Sequence, residues 1–261
     1  ESKEKTGAVM NSSFTERKAV ILEILMEENS VSVSDLSKRL SVTQVTARAD
    51  LAALEKEGLL VRTHGGAHLG HHPKIFERMQ AGSVYKEKIA KAAADLIENG
   101  DTVIITSGTT TALIAKYLLG KRDIHIVTNN TLLLTHVRNN PQVRVTLIGG
   151  EFRPEDEGLV GPMALAAIEQ FHVAKAFTGI DGASLKQGFT AHTLESAVLV
   201  HKMAEQADQV IAIAHSGKFG KHGFARILPF GDVDVLVTDR ELTQEFESEL
   251  TSAGVRLVKS Q

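Results

Sequence analysis

From Tyr85 onward, short, mostly apolar runs alternate with amphipathic stretches, and this alternation restricts the fold more than any other feature. Thr102 to Thr106 reads TVIIT, and similar runs occupy His125 to Thr128, Val143 to Ile148, Lys175 to Ile180, Val210 to Ala214, Val233 to Thr238 and Val255 to Val258. Helical patterns fill the intervals: Lys86 to Glu98, Ser107 to Leu119, Leu132 to Arg138, Met163 to Gln170, Leu194 to Gln206 and Thr243 to Ser252. A strand apolar on both faces must be covered on both faces. The alternation therefore predicts a doubly wound, mainly parallel α/β domain. Ligands of such sheets bind outside the carboxyl ends of the strands.

The preceding residues follow a different rule. Thr15 to Glu28 places Val20, Ile21, Ile24 and Leu25 on one helical face, and Ser32-x-x-Asp35 opens a second helix with a capping-box pattern. Thr43 is an N-cap for a third helix, in which Val45, Ala49, Leu51, Ala52 and Leu54 recur at apolar spacing until Gly58 stops it. Leu59 to Thr63 then reads as a strand and Gly65-Gly66 as a hairpin turn. Gln44, Thr46, Ala47 and Arg48 are left on the remaining face, small and hydrogen-bonding. Such a face fits the major groove, where base edges and phosphates are both in reach. Three helices and a ribbon predict a winged helix-turn-helix. Three helices packed as a mini-domain without a ligand would show the same pattern, but a free-standing unit joined to a larger domain is expected to read DNA. Lys38, Arg39, Thr43, Gln44, Thr46, Arg48, Arg62 and His64 are the candidate DNA contacts.

Charge gives this reading little help. The net charge is −3, and Phe14 to Leu69 carries seven Lys or Arg against eight Asp or Glu, a balance of −1. Strong non-specific attraction to phosphates is not expected. DNA binding then requires Lys38, Arg39, Arg48 and Arg62 on one face and Glu23, Glu27 and Glu28 on another, with a homodimer or homotetramer enlarging the footprint. With 261 residues, 43% of them hydrophobic, one small and one medium domain are expected. The absence of cysteine and of any run long enough to span a bilayer favours a reducing, cytoplasmic setting with no membrane partner. Glu1 to Asn11 is polar and patternless and is set aside, with no secretory signal visible. Phe14 to Leu69 is the expected DNA-binding domain, Gly70 to Val84 a linker, and Tyr85 to Gln261 the sensor domain. His64, His68, His71 and His72 lack a nearby Cys or carboxylate, so a solvated wing is expected there rather than a metal site.

In the larger domain the chemistry gathers at the expected strand ends. Ser107-Gly108-Thr109-Thr110 lies between a strand and a helix, where free amides and hydroxyls make an anion cradle or, on spacing alone, a Thr-rich cap. It lacks the lysine of a nucleotide P-loop, which favours a small phosphate and no nucleotide cofactor. Asn129 ends the next strand as a candidate for sugar hydroxyls or a plain turn residue. Gly149 and Gly150 with Arg153, and Asp181 and Gly182 with Glu195 and Lys218, complete the candidate ligand set. Asp181 and Glu195 are placed to accept from hydroxyls, and Lys218 to pair with a phosphate.

Two sets of residues carry a family resemblance. Thr46-Ala47-Arg48-Ala49-Asp50-Leu51, Leu54-Glu55-Lys56-Glu57-Gly58 and Arg62-Thr63-His64-Gly65-Gly66-Ala67 resemble the DeoR-type repressors of bacterial sugar metabolism. Ser107-Gly108-Thr109-Thr110, Val127-Thr128-Asn129, Ile148-Gly149-Gly150, Phe177-x-Gly179-x-Asp181-Gly182 and Ser216-x-Lys218-Phe219 are similar, in order, to the sensor domain of that family. The resemblance implies a sheet like that of ribose-5-phosphate isomerase and the CoA transferases. It also implies release from operator DNA by a phosphorylated sugar. The Gly179-Ile180-Asp181 segment and Thr190-Ala191-His192 look nearest to the N-acetylgalactosamine branch. There are two departures: Ala49 stands where a second basic residue is common, and Thr106 where an Asp is common. The competing expectation is a sugar-phosphate isomerase or transferase with an accessory DNA-binding domain, for which Glu195 is the only nearby candidate base.

Overall fold

A computed structural model describes residues 13–260, so Glu1 to Asn11 lies outside the described residues. The chain divides into two compact units between Glu77 and Arg78. In the first, α1 (Phe14–Glu28) is followed by β1 (Ser30–Ser32), α2 (Val33–Arg39), α3 (Gln44–Lys56), β2 (Leu60–Arg62) and β3 (Gly66–Leu69). Helix α4 (Pro73–Gln80) crosses the division, so the stretch expected as an unpatterned linker is largely helical.

Each helix of the first unit begins where a side chain satisfies a free amide. Ser13 and Glu16 form a complete capping box on α1. The Ser32 hydroxyl accepts from the Asp35 amide at 3.0 Å, and Thr43 accepts from the Thr46 amide at 3.1 Å. Helix α3 ends with Gly58 at φ +75° and the Leu59 amide donating back to the Leu54 carbonyl at 3.1 Å, the Schellman arrangement a glycine permits. The three strands order as β1-β3-β2, one more than expected. Gly66 is required where β3 crosses β1, because a Cβ there would lie 2.0 Å from the Val31 carbonyl oxygen.

The core joins Ile21, Leu25, Leu36, Leu40, Leu51, Leu54 and Phe76. Two faces differ from expectation. Leu22 is buried while Val20 is exposed on α1. On α3 the buried stripe is Ala47, Asp50, Leu51 and Leu54, and Val45 (74% exposed) and Ala49 turn outward. The reason is Asp50. It is 4% exposed and grips Arg17 of α1 through two hydrogen bonds of 2.7 and 2.8 Å. That pair rotates α3 so that Ala47, not Val45, faces inward, a choice hydrophobicity alone misassigns.

The second unit contains α5 (Ser83–Asp95), β4 (Thr102–Ile105), α6 (Thr109–Ile114), β5 (Ile124–Thr128), α7 (Leu134–Val137), β6 (Val143–Leu147), β7 (Glu151–Arg153) and β8 (Gly158–Val160). It continues with α8 (Pro162–Ile168), β9 (Val173–Gly179), β10 (Gly182–Ser184), β11 (Gly188–Ala191), α9 (Leu194–Glu205), β12 (Ala207–Ile213), β13 (Ala225–Leu228), β14 (Val235–Thr238), α10 (Gln244–Ser252) and β15 (Arg256–Lys259). Seven strands form one parallel sheet in the order β15-β14-β12-β9-β4-β5-β6. From β4 the chain winds outward first through β5 and β6, then through β9, β12, β14 and β15. The direction of winding therefore reverses between β4 and β9. Apolar clusters that include Ile104, Val127, Ala176 and Leu199 and Phe189, Ala212, Leu236 and Phe246 pack this unit. The hairpin β7-β8 and the antiparallel sheet β10-β11-β13 have no counterpart in the apolar pattern, because their strands are three or four residues long.

Candidate functional site

The reversal between β4 and β9 positions a pocket within the second unit. Its floor is the loop after β4, Ser107 to Thr111, and its sides come from Gly179 to Asp181 after β9 and from His215 and Lys218 after β12. This is where an open α/β sheet splays its strand ends to leave a crevice. Arg78, Lys86 and Asp156 complete the charged lining.

The loop is held in place before any ligand arrives. Asn129 is 1% exposed; its Oδ1 accepts from the Ser107 amide at 2.7 Å and its Nδ2 donates to the Leu159 carbonyl at 3.0 Å. Asn129 is therefore committed to the backbone and does not present its amide to sugar hydroxyls as expected. Asn130, also buried, donates from Nδ2 to the carbonyls of Thr106 (3.2 Å) and Gly108 (3.0 Å). Thr111 Oγ1 donates to the Thr106 carbonyl at 2.7 Å. Thr106, the position of a departure from the family pattern, accepts from the Gly179 amide at 2.9 Å and so ties the ends of β4 and β9. Gly108 sits at φ +146°, a backbone state other residues rarely adopt. Among the described residues, the amides of Gly108, Thr109 and Thr110 meet no protein acceptor, whereas that of Ser107 is taken by Asn129.

Lys86 is the residue that hydropathy reading misses. It lies on the buried stripe of α5 with Ile89, Ala90 and Ala93 and is only 6% exposed. Its Nζ donates to Thr109 Oγ1 at 3.1 Å and to the Arg78 carbonyl, and among the described residues no carboxylate pairs with it. Burial, reinforced by Arg78 and Lys218, lowers its pKa from 10.5 to about 8. A cation on an apolar stripe was the available signal, because burying one without a partner is costly unless something is gained. Lys218 is lowered too, chiefly by burial and against the pull of Asp181. Its Nζ lies 3.8 Å from Asp181 Oδ1. His215 accepts from the Gly217 amide at Nδ1, and its pKa is lowered by burial and then by Lys218 and Lys86. The pocket thus holds three cations and two carboxylates around unpaired amides, an arrangement suited to a multiply charged anion that also carries hydroxyls.

Several expected residues lie elsewhere. Gly149 and Gly150 do not line the pocket; Gly150 packs against β8, where a Cβ would come 2.6 Å from the Val160 carbonyl oxygen. Arg153 faces Glu151 at 3.5 Å and Glu195 at 3.9 Å, outside the pocket. Glu195, expected as the base of an isomerase, is 55% exposed and does not line the pocket. Gly182 lies behind Asp181, close to the Lys221 backbone. Ser107, Gly108, Thr109, Thr110, Asp181 and Lys218 are brought together as expected.

On the first unit, Gln44, Val45, Arg48 and Ala49 are exposed at the start of α3. Arg48 reaches Gln44 Oε1 at 3.4 Å, and Thr46, half-buried, meets the Thr43 hydroxyl at 3.0 Å. Lys38 and His64 are exposed. Arg39 is bound by Glu28 (2.5 Å) and Asp35 (2.8 Å), and Arg62 by Glu55 (2.8 Å). The expected segregation of Arg39 from Glu28 therefore does not occur, because helix ends bring the two side chains together. Among the described residues, Lys38, Arg48 and Lys56 of this unit carry no ion pair.

The comparisons with known proteins agree with both units. The DeoR-like helix-turn-helix domain matches residues 17–72, and the DeoR C terminal sensor domain matches residues 83–240. The chain is 34% identical to the HTH-type transcriptional repressor GlcR of Bacillus subtilis over 93% of this chain and 95% of that one. It is 30% identical to an Escherichia coli O157:H7 protein named for repression of the aga operon, over 94% and 93%, and 30% identical to the glycerol-3-phosphate regulon repressor of Escherichia coli K12, over 86% and 90%. A ribose 5-phosphate isomerase from Methanocaldococcus jannaschii aligns with 53% of this chain and 55% of its own at TM-score 0.40 and 13% identity. A helix-turn-helix domain and a parallel-sheet sensor domain, matched in order along the chain, make this protein a member of the DeoR family of helix-turn-helix transcriptional regulators.

Proposed function

We propose that the chain is a cytoplasmic repressor of a sugar-utilisation operon, released from operator DNA when a phosphorylated sugar enters the second unit. Residues 14–69 read the operator and residues 85–261 sense the effector. One observation carries this reading: Lys86 is buried without a carboxylate beside the open amides of Gly108, Thr109 and Thr110. An uncompensated buried ammonium is costly, and a phosphate supplies the missing charge. Lys86, Lys218 and the loop amides grip the phosphate, while Asp156 and Asp181 accept from sugar hydroxyls. An amino-sugar phosphate is the first to try, since one relative is named for the aga operon.

Thr43, Gln44, Thr46 and Arg48 contact base edges and phosphates, with Lys38, Arg39, Arg62 and His64 on the flanking backbone. The protein acts as a homodimer or homotetramer, because paired half-sites demand paired readers. It regulates without turnover. No helix among the described residues is long and apolar enough to cross a membrane.

A thermal-shift screen of sugar phosphates, matched free sugars and inorganic phosphate tests the pocket. A ligand at a hundred times its Kd stabilises by about 2.7 kcal/mol. Stabilisation by free sugars and not by their phosphates overturns the reading. Release is tested on an operator duplex selected from random sequence, where equal affinity with and without the stabilising phosphate ester overturns the induction.

A further inference from the structure

The pocket's two carboxylates, assigned above to sugar hydroxyls, also stand beside its cations, where they compete with a phosphate. Arg78 Nη1 lies 2.8 Å from Asp156 Oδ1, and its Nη2 lies 3.7 Å from Asp181 Oδ1. The Asp181 oxygen is shared with Lys218 at 3.8 Å. The other end of the residue is held as well, because Lys86 Nζ donates to the Arg78 carbonyl. Arg78 is thus fixed through both guanidinium and backbone by groups of the second unit.

Arg78 also has a particular place in the chain. It is a residue of α4, Pro73–Gln80. Two residues earlier on that helix, Phe76 is 1% exposed and belongs to the apolar core of the first unit. Helix formation is cooperative, so the order of the turn that carries Arg78 and that of the turn that carries Phe76 are coupled.

We propose that Arg78, Asp156 and Asp181 form an effector-sensitive latch, in which a bound phosphate draws Arg78 from the two carboxylates and this release lowers operator affinity. The inference rests on the reading of the pocket as a sugar-phosphate site. A planar guanidinium bonds phosphate through two parallel donors, and a phosphate near Asp156 and Asp181 repels both. The latched and released states therefore differ in affinity for the ligand, the condition for a ligand to shift an equilibrium. Linkage makes the effect reciprocal: weakening the latch must tighten ligand binding while loosening DNA binding.

The test uses the full chain, a selected operator duplex, and inorganic phosphate as probe with ionic strength held constant by chloride, since salt alone weakens DNA binding. Wild type is expected to lose about tenfold in operator affinity at saturating phosphate, a coupling within the usual range. Asp156→Asn, which removes the anion and keeps the shape, is expected to bind operator several-fold more weakly without phosphate. It should bind phosphate several-fold more tightly and lose most of the phosphate response. Arg78→Lys, lacking the fork, is expected to give less than half the wild-type response on a logarithmic scale at saturating phosphate. Asp156→Asn with wild-type operator affinity, or with phosphate and operator binding weakened together, overturns the latch. If Asp156→Asn does not fold, the Arg78→Lys response decides. If wild type binds neither phosphate nor any sugar phosphate, the pocket reading itself fails. Wild-type binding with an unaltered response in both variants removes the latch alone.

Discussion

Replacing Lys86 by Met should make the protein more stable and insensitive to its effector. The fall in the Lys86 pKa from 10.5 to about 8 corresponds to roughly 3 kcal/mol against the charged folded state at neutral pH, at about 1.4 kcal/mol per tenfold change. Residual access of water to the ammonium reduces that to roughly 2 kcal/mol. The lost donations to the Arg78 carbonyl and Thr109 hydroxyl return about 1 kcal/mol, because water can replace one of them. Met is unbranched and of similar length, so the stem of the side chain keeps its packing beside Ile89 and Ala90. The net expectation is a gain of about 1 kcal/mol at pH 7, read by urea unfolding of the second unit, with no further stabilisation by phosphate esters. The gain should shrink from pH 8 to 10.5, where the folded wild type sheds the proton and the unfolded chain keeps it, so the wild-type penalty fades. A Met variant less stable than wild type that still responds to phosphate would refute the reasoning and make Lys86 a structural residue.

Four further outcomes follow from the same physics. Effector affinity of wild type should fall as pH rises through about 8, where Lys86 loses its charge, and calorimetric titrations at pH 7 and 9 should differ several-fold, whereas a flat profile separates Lys86 from the ligand. Asp50→Ala removes the two hydrogen bonds that tie the buried face of α3 to Arg17 and should cost about 1–3 kcal/mol in the unfolding of the first unit, checked by denaturant melts. Val45→Glu on the exposed side of α3 should change stability by less than about 0.5 kcal/mol and cut operator affinity by tenfold or more in fluorescence anisotropy. Asn129→Ala should weaken phosphate binding and lower stability by about 1–3 kcal/mol by freeing the Ser107 amide and the Leu159 carbonyl, an effect readable in the same thermal-shift series.

The long elements were legible because their signals are local. Strands β4 and β14 are apolar on both faces, β5, β6, β9 and β12 are apolar at most of their positions, and helices α1 and α3 carry caps and stops that announce themselves. The rotation of α3 was not, since a buried Asp50 reverses the ordinary ranking and its reason, Arg17, lies on another helix. The small strands β7, β8, β10, β11 and β13 depend on partners distant in sequence. Within the site, the Ser107 loop, Asp181 and Lys218 could be placed by their positions at strand ends. Lys86, Arg78 and Asp156 could not, because each enters from an element that is not one of those strand ends. Conversely, Asn129, Gly149, Gly150 and Arg153 follow sheet strands yet serve the backbone or face outward.

The commitment of Asn129 and Asn130 to the backbone divides labour across the cavity. Under the proposed function, a floor already frozen by its own asparagines needs no ordering when an anion lands and makes no distinction among phosphate esters. On the same reading, discrimination between one sugar and another falls to the rest of the lining, which includes Asp156, Asp181, Ser196 and His215. Exchanging residues there would retune which metabolite is heard without rebuilding the grip that hears it.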